Sequence, residues 1–305
     1  MLDKISYDPQ SDTLIHLGDL VSKRKKVSSD PVLSFLSTNH IIGVRGNNDQ
    51  KVIEWRAWMD WIVSFPGARE WLEEIGSLWS HIDGDESNPE FDTWLKKSHR
   101  KWKPYVPGGW KLQGKHYKFA RDMTQEHYDY LCSLPLVLYS PTAHTYFVHA
   151  GLLPADPTRD LSDPKQPLSH LPVTTNPEDD DLVLRGLQEL ALLNEIPQNQ
   201  DPWVLLNMRS LTKAGKVKDD KKGTPWPDLW NEMMRGCSGP PATEPPTNVS
   251  KHGSETTLPH CFPSMVLYGH AAIRNLDVRR WSVGLDTGCV SVPILLFKPL
   301  DAAFR

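Results

Sequence analysis

Leu14-Ile15-His16-Leu17-Gly18-Asp19 and Ile41-Ile42-Gly43-Val44-Arg45-Gly46-Asn47-Asn48-Asp49 decide how this chain is read. Each is a short apolar run that stops at a glycine and delivers a polar side chain just beyond it. Short apolar runs bounded by turn residues are the pattern of buried strands. Between them, Asp30 to Thr38 reads as a helix with Val32, Leu33 and Leu36 turned inward. Strand, helix and strand make a crossover and hence a parallel pair. Two later runs end in the same way: Thr145–Val148 enters His149-Ala150-Gly151, and Met265–Tyr268 enters Gly269-His270. Residues 136–139 and 281–285 read as further strands. The expected class is α/β, with ligands gathered past the carboxyl ends of strands, where open α/β sheets place their sites.

The rest of the chain reads around that frame. Residues 52–65 form a helix with Trp55, Trp58, Trp61 and Ile62 on one face, a core stripe rather than a ligand box. Residues 69–79 continue helical. Residues 83–114 turn from acidic to basic and aromatic, with Pro104, Pro107, Gly108 and Gly109, and read as an inserted loop or lid. Thr124 caps a helix whose apolar face runs over 128–134 and which Pro135 closes. Residues 154–181 are a Pro- and Asp-rich loop, 182–193 a helix, and 213–222 a charged loop. Residues 238–258, rich in Pro, Thr and Ser, read as disordered.

Composition sets limits. The chain of 305 residues can bury a large core, and its net charge of −4 gives no field that draws in nucleic acid or a membrane surface. With 26 prolines and 39% hydrophobic residues, long irregular loops are expected. Cys132, Cys237, Cys261 and Cys289 show no paired spacing, which is read against a disulfide framework and against a Cys-based zinc site. No apolar run nears the roughly 20 residues needed to span a bilayer. Residues 1–10 lack a basic-then-apolar leader pattern. Asp19, Asn47, His149 and His270 supply a carboxylate, an amide oxygen and two imidazoles, a donor set that suits zinc, manganese or iron better than calcium.

Taken in order, Gly18-Asp19-Leu20-Val21, Arg45-Gly46-Asn47-Asn48-Asp49, His149-Ala150-Gly151 and Gly269-His270 resemble the metallophosphoesterase (calcineurin-like) superfamily, in its phosphoprotein-phosphatase branch. Leu206-Asn207-Met208-Arg209 looks like the segment that brings a phosphate-binding arginine. Residues 284–290, Gly-Leu-Asp-Thr-Gly-Cys-Val, resemble the last core strand of bacterial symmetrical diadenosine tetraphosphatases. The whole set is similar to fungal relatives of the vacuolar zinc-dependent endopolyphosphatase. The resemblance implies one domain over 1–305, a β-sandwich flanked by helices, lacking its first strand and carrying long loop insertions. Its core would take about residues 12–77, 119–154, 200–211 and 264–298, with insertions at about 80–118 and 155–260. It implies a divalent-metal cofactor, zinc or manganese, with Asp19 bridging two ions and Asn47, His149 and His270 completing the second. Lys23, Arg45 and Arg209 would hold phosphate, and Asn48 and Asp49 would stand at the catalytic positions. The substrate implied is polyphosphate or another phosphoanhydride or phosphoester. The location expected is cytoplasmic, or vacuolar if an N-terminal anchor belongs to the protein.

The chain departs from this pattern twice. The Asp-x-His motif of the first metal is absent, because neither Asp3 nor Asp12 is followed two positions later by His. The first metal then keeps only Asp19, and further sequence ahead of Met1 is the expected explanation. Asn48 stands where the family has the His proposed to protonate the leaving oxygen. Asn is no general acid, and such help is worth roughly 10²–10⁴-fold. A phosphoanhydride, whose leaving group is acidic, needs it less than a serine ester. The alternatives are a non-catalytic or truncated relative, or a protein Ser/Thr phosphatase. Lys23-Arg24-Lys25-Lys26 reads as substrate-attracting and the 96–103 block as a solvated helix face. His16 and His144 read as structural. Asn248-Val249-Ser250 fits a glycosylation acceptor, and 291–297 an edge strand.

Overall fold

The computed structural model describes residues 6–21, 30–82, 89, 93, 94, 97, 101–173, 180–237, 239 and 261–288. Lys23 and its basic neighbours, half of the 96–103 block, Asn248 and the 291–297 stretch lie outside them. The chain divides into two compact units, one from 20–40 and 48–133, the other from 1–19, 41–47 and 134–305.

The unit of 20–40 and 48–133 is helical among its described residues. It holds α1 (Asp30–Thr38), most of α2 (Asn47–Ile62), α3 (Ala68–His81), α4 (Lys115–Asp122) and α5 (Gln125–Ser133). Trp55, Trp58 and Ile62 fall at i, i+3 and i+7 on α2 and are buried, but Trp61, expected with them, is 46% exposed. At 100° per residue it lies well off that face. Val32 is likewise exposed, whereas Leu33 and Leu36 are buried. The expected lid is anchored to the helices by its aromatics: Trp102 is buried and stacked on Trp71, and Trp110 packs 4.5 Å from Trp55, as Tyr117 on α4 does at 5.1 Å. Thr124 caps α5 as expected, its hydroxyl accepting from the His127 N–H at 3.2 Å.

The other unit carries all the described strands. β1 (Ile15–His16) and β2 (Ile42–Gly43) pair in parallel, as the crossover reading requires. β3 (Val137–Ser140) and β4 (Thr145–Val148) form a hairpin. Then come α6 (Asp181–Asn194), α7 (Pro202–Asn207), and a small sheet of β5 (Ser210–Leu211), β6 (Val217–Lys218) and β7 (Thr224–Pro225). Residues 213–222, read as a loop, thus contain a strand. α8 (Trp226–Gly236) follows, then β8 (Met265–Tyr268), β9 (Asp277–Val278) and β10 (Ser282–Gly284). The main sheet runs β3-β4-β8-β10-β9. β4, β8 and β10 are parallel, and Val148 pairs with Tyr268, which pairs with Gly284, so the three strand ends are level. The α/β class read from the strand-and-helix pattern is the class observed.

Caps and packing fix these helices. Asp180 accepts from the Leu182 and Val183 N–H groups, and Asp201 from Trp203 N–H with Pro202 behind it at the first helical position. Trp226, Trp230 and Met234, one turn apart on α8, are fully buried with Tyr146, Val266 and Tyr268. α6 is inverted: Leu182, Val183, Leu187 and Leu190 are exposed, while Gln188 and Glu189 are fully buried. The Glu189 carboxylate takes the Tyr139 hydroxyl, the Ser264 hydroxyl at 3.0 Å, Arg185 Nε at 3.2 Å and His144 Nδ1 at 3.2 Å. Burial, then the Glu189 hydrogen bond and charge, push the Tyr139 phenol well above its ordinary pKa.

The cysteine reading is corrected. Cys237 at the end of α8 and Cys261 before β8 form a disulfide, with their Cα atoms 4.7 Å apart. A sequence separation of 24 across a Pro-rich stretch gives no spacing signal, and only the fold brings the pair together. Cross-links closing loops of this length stabilise by about 3 kcal/mol in the chain-entropy account. No helix among the described residues is long and apolar enough to cross a membrane.

Candidate metal centre

Two tight turns open the site. Gly18 has φ +82°, and a Cβ there would stand 2.4 Å from the Gly46 nitrogen. A Cβ on Gly46 would stand 2.1 Å from the Asp19 nitrogen and 2.4 Å from its Oδ1. The turns after β1 and β2 therefore touch backbone to backbone, and only glycine fits either position. Asp19 and His270 both adopt left-handed φ, 57° and 63°. The Val44 N–H donates to the His16 carbonyl at 3.0 Å and the Arg45 N–H to the Pro135 carbonyl at 2.9 Å, which fixes where Asn47 emerges. From the main sheet, Gly269 N–H donates to the His149 carbonyl at 2.9 Å, which ties the ends of β4 and β8 together.

The donors converge on one atom. His149 is 1% exposed. Its Nδ1 lies 2.7 Å from the Leu17 carbonyl, which can only accept, so Nδ1 carries the proton. In the neutral ring Nε2 is then a lone pair. That Nε2 lies 3.2 Å from Asn47 Oδ1, 3.2 Å from His270 Nδ1 and 3.4 Å from Asp19 Oδ1. Donors about 2.1 Å from a shared tetrahedral ion sit about 3.4 Å from each other. Either an N–H on His270 Nδ1 or a metal ion among the donors satisfies this packing, and a carbonyl-oriented imidazole is the usual support of a metal-binding histidine. Among the described residues no three His, Cys, Asp or Glu side chains make a metal-holding group by themselves. Asn47 adds an amide oxygen beside the two imidazoles and the Asp19 carboxylate, donor types of the kind a divalent ion takes.

The remaining expected site residues divide. Arg209 joins the cluster, its Nη2 donating to the His270 carbonyl at 3.0 Å. Arg45 stands on the β2 turn between Val44 and Gly46. Asn48 and Asp49 belong to the helical unit, where Asn48 Oδ1 lies 3.0 Å from His116 Nε2 and the fully buried Asp49 accepts the Val21 N–H at 3.2 Å. Lys23 lies outside the described residues. Neither His116 nor Arg274, whose Nη2 donates to the Arg209 carbonyl at 2.8 Å, carries a motif of its own in the sequence. A basic residue in the turn just past a ligand-bearing strand end was the available signal.

His16 supports the first turn, its Nδ1 3.4 Å from the Gly18 nitrogen and its ring against Gly43. Burial lowers its pKa from 6.5 to about 4. The folded state thus declines a proton that the unfolded chain accepts. This contribution is complete above pH 6.5, falls as pH drops toward 4, and is constant below. At 1.36 kcal/mol per unit it is worth at most about 3 kcal/mol. Urea denaturation across that window is expected to show the loss, and the His16→Gln protein a shallower one. Equal slopes in the two proteins would refute it.

No family model matches the chain, and no curated protein matches it. A crystal structure described as that of a candidate diadenosine tetraphosphatase is similar over 95% of this chain and 76% of its own, with a TM-score of 0.46 and 19% identity. At that overlap and identity the likeness carries no argument about chemistry.

Proposed function

We propose that the chain is a divalent-metal-dependent hydrolase of phosphoanhydrides or phosphoesters, with inorganic polyphosphate as the preferred class of substrate. The observation that supports it is the His149 Nε2 lone pair held within 3.2–3.4 Å of Asn47, His270 and Asp19 donors. Asp19, Asn47, His149 and His270 would hold the ion. A divalent ion there would polarise a phosphoryl oxygen and make bound water acidic. Leu17 fixes the His149 tautomer, and the paired turn glycines fix the Asp19 and Asn47 positions. Arg209, anchored on the His270 carbonyl, still has donors in its guanidinium fork for phosphate oxygens, and Arg45 stands on the neighbouring turn. Asn48, next in the chain after Asn47, can donate a hydrogen bond but not a proton, which favours acidic leaving groups.

The test is metal content and phosphate release by the full chain in zinc or manganese, with tripolyphosphate, p-nitrophenyl phosphate and a phosphoserine peptide side by side. Tripolyphosphate is expected to turn over fastest. Phosphoserine turnover well above it would overturn the substrate assignment. Metal binding with no turnover of any of the three would favour a non-catalytic binding protein.

A further inference from the structure

Two guanidinium groups cross-tie the segments that meet at this site. The Arg209 guanidinium donates to the His270 carbonyl at 3.0 Å, and the Arg274 guanidinium donates to the Arg209 carbonyl at 2.8 Å. Arg209 sits between α7 and β5, and its own N–H donates to the Lys218 carbonyl at 2.8 Å. Among the described residues its carbonyl has one other partner, the Trp226 N–H, at 3.4 Å. Arg274 therefore makes the shorter of the two bonds that set the tilt of the Arg209 peptide.

Arg274 is placed to do this and little else. It closes the single 3₁₀ turn Ala272–Arg274 that follows His270, and its N–H bonds the Ala271 carbonyl at 2.7 Å. Its Nη1 is out of reach of solvent. Its charge acts on Asp277, which accepts the Tyr268 hydroxyl at 2.7 Å. Burial raises the Asp277 carboxyl, but hydrogen bonds from Arg279 and Tyr268 and the charges of Arg279 and Arg274 outweigh it, so the group stays ionised. Through Asp277 and Tyr268 the Arg274 charge is tied back into β8 and β9.

We propose that Arg274 is a positioning residue: it holds the Arg209 backbone so that the remaining donors of the Arg209 fork meet a phosphate. The proposal rests on the reading of Arg209 as a phosphate ligand. A bidentate fork is selective about angle, and displacement of a binding group by about 1 Å can cost on the order of 10²-fold.

Titration of the full chain with inorganic phosphate, followed by calorimetry with thermal denaturation alongside, tests it. Arg274→Ala is expected to weaken phosphate binding about tenfold in protein that is still folded at the assay temperature. Arg274→Lys, whose ammonium can still donate to the Arg209 carbonyl, should recover most of the loss. Arg209→Ala should also weaken binding, and the double variant should be no worse than Arg209→Ala alone, because coupled residues are non-additive. A merely structural role would lower the melting temperature and leave the phosphate Kd of the folded protein within twofold of wild type, which overturns the proposal, as would multiplicative losses in the double variant. Should Arg274→Ala fail to fold, Arg274→Gln carries the test: a loss of at least threefold is expected, and wild-type affinity overturns the proposal. A wild-type chain that binds no phosphate would remove the functional reading and this proposal together, whereas wild-type binding with an unchanged Arg274→Ala removes this proposal alone.

Discussion

Replacing His149 by alanine is expected to abolish stoichiometric zinc or manganese binding and, with it, any phosphate release. His149 is the hub: Asn47, His270 and Asp19 each bring a donor atom within 3.2–3.4 Å of its Nε2. Even partners that only orient a metal ligand are worth 10–100-fold in affinity. Loss of the central ligand should therefore cost on the order of 10²-fold or more. The variant should still fold. It leaves the Leu17 carbonyl without its imidazole donor, a penalty of about 1–3 kcal/mol, and vacates a small volume beside Gly269. Calorimetric titration of each metal into wild type and variant, with melting temperatures for both, separates the two effects. A variant that binds zinc with the wild-type Kd would show that the cluster is not a metal centre.

Glu189→Ala is expected to destabilise the sheet-bearing unit by about 3 kcal/mol. Glu189 is fully buried, and removing one partner of a buried ionic network typically costs 3–5 kcal/mol, because the other charges stay behind. Here Arg185 and His144 keep 24% and 23% side-chain exposure, so water can partly re-solvate them and the lower end applies. Tyr139 and Ser264 lose their acceptor outright. Glu189→Gln, which retains an acceptor oxygen, should lose less. His144 and Ser264 precede β4 and β8, whereas His149 and His270 follow them, so metal affinity should be unaffected in the folded variant. Urea denaturation midpoints for the three proteins decide it. An alanine variant within 1 kcal/mol of wild type would refute the network as a stabilising element.

The parts of the fold and site that were legible in the sequence are those written in local chemistry. β1, β2, β4 and β8 announce themselves as short apolar runs that stop at or near a glycine, and the side chains of Asp19, Asn47 and His270 lie within 3.2–3.4 Å of His149 Nε2. Thr124 and Pro135 bracket α5 in the same local way. Tertiary relations were hidden. Cys237 and Cys261 are joined by a fold that no spacing encodes. Val32 and Trp61 look like core residues until the helix angle is measured, and Gln188 and Glu189 look like surface residues until their partners appear. α8 was missed although Pro227 near its start is a helix signal, because the surrounding prolines and charges read as loop. At the site, the Leu17 carbonyl that fixes the His149 tautomer has no side-chain signature, and Arg274 acts through a backbone atom.

Asp19 and His270 hold left-handed backbone angles that glycine adopts freely and that other residues occupy at a cost of about 1–2 kcal/mol. Selection for folding alone would drift both positions toward glycine or asparagine, each one or two nucleotide changes away. Ser6, His40, Gln113, His144 and Asn275 hold such angles too, so it is the proposed function, and not the angle alone, that would offset this cost at Asp19 and His270. Laboratory evolution for thermal tolerance without an activity screen should find them among the first positions to be lost.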